Sequence, residues 1–206
     1  HGPRRDNVSD ETGLLKQWPA EGPKLLWTAT GIGEGFSSIA VADGQVYVTG
    51  NVGADTVLTA LGLDGKIRWT AKNGPADKHQ HPGTRSTPTV DGDRVYHESP
   101  LGNLICLNAK TAMKIWYNNI LEQFHGENIE WVLSESVLVD GDRLICFPGG
   151  KETAVVALDK LTGKTIWKSQ LPGAPGAPGG PGRGPGGFGG SGAAYASAIA
   201  IDFEGQ

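Results

Sequence analysis

A pattern that recurs three times along the chain restricts the folds that it can adopt. An Asp-Gly pair flanked by β-branched or apolar residues begins at Asp43, Asp91 and Asp140, with spacings of 48 and 49 residues. A further apolar run and a second tight turn follow each pair, and every repeat ends in a tryptophan, at Trp69, Trp116 and Trp167. An Asp-Gly pair between such runs is the strongest short-range signal for a β-hairpin. Each repeat therefore predicts four short antiparallel strands.

Four antiparallel strands per repeat of this length are typical of the blades of a β-propeller. We therefore predict an all-β fold, a partial β-propeller of four-stranded antiparallel blades. Residues 21–27 resemble only the last turn and strand of a repeat, with Trp27 at the tryptophan position, and we predict that this strand closes a ring with the last blade. Because closure removes exposed sheet edges, a chain that lacks the pairing strands should associate or aggregate.

The predicted organisation has four parts. Residues 1–20 form an N-terminal arm, residues 21–171 form the propeller with its closing strand and three blades, and residues 193–206 form the first strand of a fourth blade. Residues 172–192 are rich in glycine and proline and have almost nothing to bury, so we predict a flexible insert between two blades.

The second tight turn of the middle repeat departs from the other two. Tight hairpin turns need a residue with positive φ, which glycine adopts without strain. This position is Gly65 in the first repeat and Gly163 in the third, but Ala112 in the second. We predict a positive φ at Ala112 with a modest cost in stability.

The third repeat carries a recognisable signature. Ala157, Asp159, Trp167 and the run from Thr162 to Lys164 match the pattern A-x-D-x-x-T-G-K-x-x-W. The repeat therefore resembles those of the pyrroloquinoline quinone (PQQ) type propeller family. The resemblance implies a ring of eight blades, of which this chain would form about half and the remaining blades of a full-length chain the rest. It also implies that four tryptophans dock each blade onto its neighbour: Trp27, Trp69, Trp116 and Trp167.

The resemblance implies one of two functional classes. Non-enzymatic relatives use the ring as a binding scaffold, whereas dehydrogenases bind PQQ and calcium and oxidise alcohols or sugars. The alcohol dehydrogenases carry two adjacent cysteines, but Cys106 and Cys146 are 40 residues apart in different repeats. We therefore expect a non-catalytic scaffold that binds other proteins, without a catalytic residue in this chain. The resemblance implies that this scaffold lies in the periplasm or cell envelope. The alternative is a PQQ-dependent alcohol or sugar dehydrogenase whose site lies mostly in the other half of the ring.

Two charged residues occupy neighbouring positions on the predicted innermost strands. Arg85 and Glu135 come from adjacent blades, which could bring them together at the ring axis. They are weak candidates for cofactor or ligand binding, and an ion pair or a solvated channel lining is the plainer interpretation.

Two predicted loops hold further candidates. His79 and His81 are two residues apart, a spacing that allows metal ligation but is also common in exposed loops, and we predict no metal site. Trp131 ends the run FHGENIEW and lies outside the tryptophan position of the repeats. Both a surface or ligand-binding role and simple packing within its loop are open for Trp131.

Charge and hydropathy exclude several other classes. A net charge of −4 without a basic run offers no surface for nucleic acid. No apolar stretch approaches the roughly 18 residues that a membrane span needs. The G-x-S-x-G, Walker and H-E-x-x-H motifs do not occur.

Each cysteine lies in an apolar run, which favours buried free thiols over the alternative, a disulfide between them.

Overall fold

The computed structural model describes residues 10–170 and 195–201 of the 206-residue chain. Within these residues, three sheets of four antiparallel strands confirm the predicted partial propeller. The strands are β1 (Ala40–Ala42), β2 (Gln45–Val52), β3 (Asp55–Gly62) and β4 (Ile67–Pro75) in blade 1; β5 (Thr89–Asp91), β6 (Arg94–Glu98), β7 (Asn103–Asn108) and β8 (Lys114–Asn119) in blade 2; and β9 (Leu138–Asp140), β10 (Arg143–Cys146), β11 (Val155–Asp159) and β12 (Thr165–Ser169) in blade 3. A short helix, α1 (Ile120–Gln123), follows β8. No helix in the described part has the length and hydropathy of a membrane span.

The repeated Asp-Gly pairs lie where the first strand of each blade turns into the second. In blade 1 the paired residues Ala42 and Gln45 enclose Asp43 and Gly44, whose φ angles are 48° and 74°. A two-residue turn with two positive φ angles matches the twist of antiparallel strands, and Asp and Gly tolerate those angles better than most residues. The repeated dipeptide is thereby explained by backbone geometry.

A side-chain oxygen holds the second tight turn in blades 2 and 3. Asp159 Oδ1 accepts hydrogen bonds from the backbone N–H and the hydroxyl of Thr162, at 2.8 and 2.9 Å. Asn108 Oδ1 accepts the equivalent pair from Thr111, both at 3.0 Å. The Asp and Thr of the sequence signature therefore form a turn rather than a binding site. Ala112 follows in the blade 2 turn with the predicted positive φ, 59°.

The apolar core lies between the blades. Blades 1 and 2 enclose one cluster of buried side chains, and blades 2 and 3 enclose a larger one. The first cluster includes Tyr47, Leu58, Ala60, Val95, Ile105 and Leu107. The second includes Tyr96, Leu104, Cys106, Trp116, Leu133, Leu144, Cys146, Val156 and Leu158. Because the first strands of successive blades also contact one another, the sheets pack as blades around a common axis.

The strand order gives the blades two faces. The first strand of each blade lies next to the first strands of its neighbours, and the fourth strand lies at the outer edge. Since neighbouring strands are antiparallel, the loops that join successive blades emerge on one face and the Asp-Gly turns on the other. We call these the connection face, which includes residues 76–88 and 120–137, and the turn face.

Three of the repeat tryptophans make the same contact with the following blade. Each donates its indole N–H to a backbone carbonyl at the same position of the next tight turn. The pairs are Trp27 with Leu63 at 2.7 Å, Trp69 with Ala109 at 3.0 Å and Trp116 with Lys160 at 3.0 Å. Trp167 has no such acceptor among the described residues and is 40% exposed.

Hydroxyl groups connect successive blades at their first strands. A backbone N–H two residues before each first strand donates to a side-chain hydroxyl about one repeat further along the chain. The pairs are Ser38 with Thr87 at 3.1 Å, Thr87 with Ser136 at 2.9 Å and Ser136 with Ser197 at 2.7 Å. Because a first strand has a free sheet edge, its N–H groups need acceptors from outside the sheet.

Two of the predicted strands are not formed in the described residues. Residues 21–27, predicted as a closing strand, and residues 195–201, predicted in a fourth blade, have no strand structure. A strand requires a ladder with a neighbour, and neither segment has one among the described residues. The predicted insert at 172–192 lies outside the described residues, and the predicted domain boundaries stay predictions.

Candidate binding surface

Side chains from four successive segments contact one another on the connection face. The guanidinium of Arg85 lies over the ring of Phe36, 5.2 Å from its centroid. The imidazole of His81 stacks on the indole of Trp131, with centroids 5.5 Å apart and planes inclined by 26°. The backbone N–H of Trp131 donates to Tyr195 Oη at 3.1 Å. We call these five residues the aromatic arc.

The aromatic arc is open to solvent. Phe36 is 64% exposed and Trp131 39% exposed, and the side chains of His81 and Tyr195 are also exposed. Large aromatic side chains at a surface are costly to hydrate, and together with Arg they are enriched at the centres of protein interfaces. The two interpretations of Trp131 thus meet in one residue, which packs against His81 and Tyr195 while part of its side chain stays exposed.

Arg85 is held by its own loop rather than by Glu135. Its guanidinium donates to the carbonyl oxygens of His81 at 2.8 Å and Gly83 at 3.1 Å, and it lies 3.9 Å from the Asp77 carboxylate. The ion pair with Glu135 that the alignment allowed does not form, because the residues around Arg85 in sequence already supply its partners. These bonds fix the backbone of the loop that presents His81.

The two loop histidines have different partners. A ring nitrogen of His79 contacts the carboxylate of Asp77, which is buried, whereas His81 stacks on Trp131. In residues 10–170 and 195–201, no three His, Cys, Asp or Glu side chains are grouped closely enough to hold a metal ion. His81 contributes its aromatic ring to the arc through its stack on Trp131.

Glu135 is buried, so the prediction that it lines a solvated channel is wrong. It is 1% exposed, and its Oε1 accepts a hydrogen bond from the backbone N–H of Phe147 at 2.5 Å. The carboxyl of Glu98, also buried, faces it from blade 2. Burial raises the pKa of Glu135 to about 8. Burial and the neighbouring Glu135 raise the pKa of Glu98 well above its usual value.

Both cysteines are free thiols buried between blades 2 and 3, so the alternative of a disulfide is wrong. Burial raises the pKa of Cys106 to about 12. Burial and the nearby Glu98 and Glu135 also raise the pKa of Cys146. Thiols that stay protonated are poor nucleophiles and poor metal ligands.

The described residues do not fit the PQQ and calcium site that the resemblance implies for dehydrogenases. Cys106 and Cys146 lie on β7 and β10 and are not adjacent. Among the described residues, Glu98 and Glu135 belong to no group of three or more His, Cys, Asp or Glu side chains that could hold a metal ion. Calcium takes six to eight oxygen ligands, and two carboxyl groups supply only part of that number.

The sequence interpretation missed Phe36, Tyr195 and Glu98. A signal for the first two exists, because Phe36 and Tyr195 both lie seven residues before the aspartate of their repeat, Asp43 and Asp202. Aligned aromatics just before two first strands would have indicated a shared surface. Nothing in the sequence around Glu98 predicts that it faces another carboxyl.

Comparison with known protein families identifies the family of this chain. The family model described as outer membrane protein assembly factor BamB matches residues 7–183. The chain belongs to this family. The match confirms the resemblance to PQQ-type propeller repeats that the third repeat carries. No curated protein matches the chain.

Several solved structures share the blade fold. A europium-containing methanol dehydrogenase aligns with a TM-score of 0.51 and 19% identity, over 72% of this chain and 27% of its own. Quinohemoprotein alcohol dehydrogenase from Comamonas testosteroni aligns at 0.51 and 23% identity, over 71% and 22%. BamB from Moraxella catarrhalis aligns at 0.49 and 21%, over 70% and 38%. The chain thus spans 22–38% of the length of these proteins. The two dehydrogenases, with TM-scores of 0.51, share the fold, and identities this low show the fold alone.

Proposed function

We propose that this chain is part of a non-catalytic propeller scaffold of the cell envelope, which binds another protein through the aromatic arc. The observation that carries the proposal is the contact chain from Phe36 through Arg85, His81 and Trp131 to Tyr195 on one exposed face. The family name, an outer membrane assembly factor, supports both a protein partner and an envelope location.

The chemistry of the described residues also favours binding over catalysis. Glu98, Glu135 and the two cysteines, whose pKa values are raised, are all buried between blades. A general base must reach the proton that it abstracts, and burial between blades separates these groups from solvent. The exposed face offers the aromatic rings of Phe36, Trp131 and Tyr195, which are groups that bind.

Site-specific crosslinking tests the proposal. A photoreactive amino acid replaces Trp131 in the full-length protein, expressed in its own cells, and the matched control replaces Met113, which is exposed in a tight turn on the turn face. We expect a defined protein adduct from position 131 and none from position 113. Affinity for that identified partner should then fall about 30-fold in Trp131→Ala, the effect of losing a hot-spot residue. Equal adducts from both positions, or an unchanged affinity, would contradict the proposal.

A PQQ-dependent alcohol or sugar dehydrogenase is the second candidate, and the shared fold with alcohol dehydrogenases is the observation that favours it. In that case the cofactor site would be formed by residues outside the described part. The full-length protein, reconstituted with PQQ and Ca²⁺, would reduce an artificial electron-accepting dye with alcohols or aldoses. Dye reduction that depends on both additions would replace the scaffold proposal.

A further inference from the structure

Two carboxyl groups meet inside the interface between blades 2 and 3. Glu98, at the end of β6, is fully buried, and Glu135, just before β9, is 1% exposed. The two carboxyl groups are close enough for each to affect the ionisation of the other. Both oxygens of Glu98, and Oε2 of Glu135, have no hydrogen-bond donor. Three buried carboxyl oxygens are therefore left without a hydrogen bond.

No positive charge compensates these carboxyls. Among the described residues, no Lys, Arg or His forms an ion pair with either of them. The polar groups that face them are the Cys146 thiol, from β10, and the backbone N–H of Phe147, which donates to Glu135 Oε1. The other buried side chains of this interface are mainly apolar, including Leu104, Phe124, Leu133, Val137 and Leu144.

Two ionised carboxylates cannot remain together in such a site, because the cost of burying unpaired charge and their mutual repulsion both oppose it. A proton on one carboxyl removes a charge and supplies the missing donor. We propose that Glu98 and Glu135 share a proton that joins blade 2 to blade 3, and that the interface opens when this proton is lost at alkaline pH. The proposal is independent of any partner bound at the aromatic arc.

The direction of the pH effect follows from proton binding. Burial raises the pKa of both carboxyls above the unfolded value, so the folded chain binds more protons than the unfolded chain. Stability from the pair is complete below about pH 4.5 and falls as pH rises toward and beyond 8. Each proton that unfolding releases lowers the folding equilibrium constant about tenfold per pH unit.

The experiment measures urea unfolding of the 206-residue chain between pH 5 and 9, in wild type, Glu135→Gln and Glu98→Gln. Glutamine keeps the shape and, at position 135, an acceptor for Phe147. Near pH 7, a rise of one pH unit should lower the folding equilibrium constant of either variant by some factor. For the wild type, this factor should be about tenfold larger. Glu122→Gln, an exposed site on α1, is the matched control and should keep the wild-type slope.

Two further measurements test for the shared proton in the wild type, and they apply even if a variant folds poorly. The infrared spectrum of wild type at pH 6 should contain the band of a protonated carboxylic acid, and this band should vanish near pH 10. Amide exchange in β9 and β10, corrected for its intrinsic pH dependence, should accelerate over the same range. The absence of the band at pH 6, or equal slopes in wild type and both variants, would overturn the proposal. Rescue of wild-type stability at pH 9 by Ca²⁺ would also overturn it, because a cation rather than a proton would then fill the site.

Discussion

Trp116 donates its indole N–H to the carbonyl oxygen of Lys160, 3.0 Å away and one blade further along the chain. Tyr96 donates its hydroxyl to the same carbonyl at 3.1 Å, and its ring lies 6.0 Å from that of Trp116. Blades 1 and 2 repeat the arrangement, with Tyr47 and Trp69 both bound to the carbonyl of Ala109. Two donors on one turn of the next blade define each of these interfaces.

Removal of the Trp116 side chain should therefore weaken the chain more than removal of Trp167. Trp116 is buried between blades 2 and 3, whereas Trp167 is 40% exposed. We expect Trp116→Ala to lower the free energy of unfolding by about 3–5 kcal/mol. Trp167→Ala should cost about 1 kcal/mol. Urea unfolding of the 206-residue chain measures both, and equal losses would mean that the indole contacts do not dock the blades.

The turns at Ala112 and Gly163 form a matched pair for backbone strain. Ala112 has φ of 59°, which an alanine adopts at a cost of about 1–2 kcal/mol, so Ala112→Gly should stabilise the chain by up to about 1 kcal/mol. Gly163 has φ of 71°, and a Cβ there would lie 2.8 Å from Trp116 Cε3. Gly163→Ala should therefore destabilise by more than Ala112→Gly stabilises. Thermal unfolding of the two variants decides this, and a loss of stability in Ala112→Gly would refute the strain at that turn.

Buried His97 should make the chain sensitive to acid. Burial lowers its pKa to about 3, from the usual value of about 6.5. The folded chain thus binds fewer protons than the unfolded chain, so stability present above pH 6.5 is lost as pH falls toward 3. We expect wild type to lose about 1.4 kcal/mol per pH unit more than His97→Gln across this window.

The His97 measurement is urea unfolding at pH 3.5 to 7, read as the difference in slope between variant and wild type. His125→Gln, at an exposed position of the loop after α1, is the control and should keep the wild-type slope. Identical slopes in wild type and His97→Gln would show that His97 becomes protonated without unfolding.

The outer strand of blade 3 should make the 206-residue chain associate. Every residue of β12 is exposed, including the apolar side chains of Ile166 and Trp167, and its outer edge is unpaired among the described residues. Such an edge pairs readily with another chain, and a charged residue suppresses this. Light scattering should report a mass that rises with concentration in wild type and rises less in Ile166→Lys. A stable wild-type monomer at high concentration would contradict the prediction.

The blades could be predicted from the sequence because their signals are local. The Asp-Gly pair at Asp43 and the Asp159–Thr162 turn each form within four residues, so the pattern and the structure coincide. The tyrosine contacts could also have been predicted, since a Val-Tyr pair follows the Asp-Gly turn in two repeats. Only the third repeat differs, with Ile145 at the position of Tyr96.

The candidate site was less predictable because its contacts join distant loops. His81 and Trp131 are 50 residues apart, about one repeat, but they occupy different positions of their repeats, ten residues before Asp91 and nine before Asp140. Glu135 was assigned to the right strand region but to the wrong surroundings. Side chains along a strand point alternately to the two faces of the sheet. The sequence does not show which of these faces the neighbouring blade covers.

The indole contacts have a fixed direction, since the donor always precedes the acceptor by one repeat. A copy of the blade 1 sequence inserted after itself would therefore offer an acceptor carbonyl to the blade before it and a tyrosine and a tryptophan to the blade after it. Tandem duplication in the gene can thus lengthen such an array without redesign of its junctions, and the near-constant spacing of the repeats is what this mode of growth would leave behind.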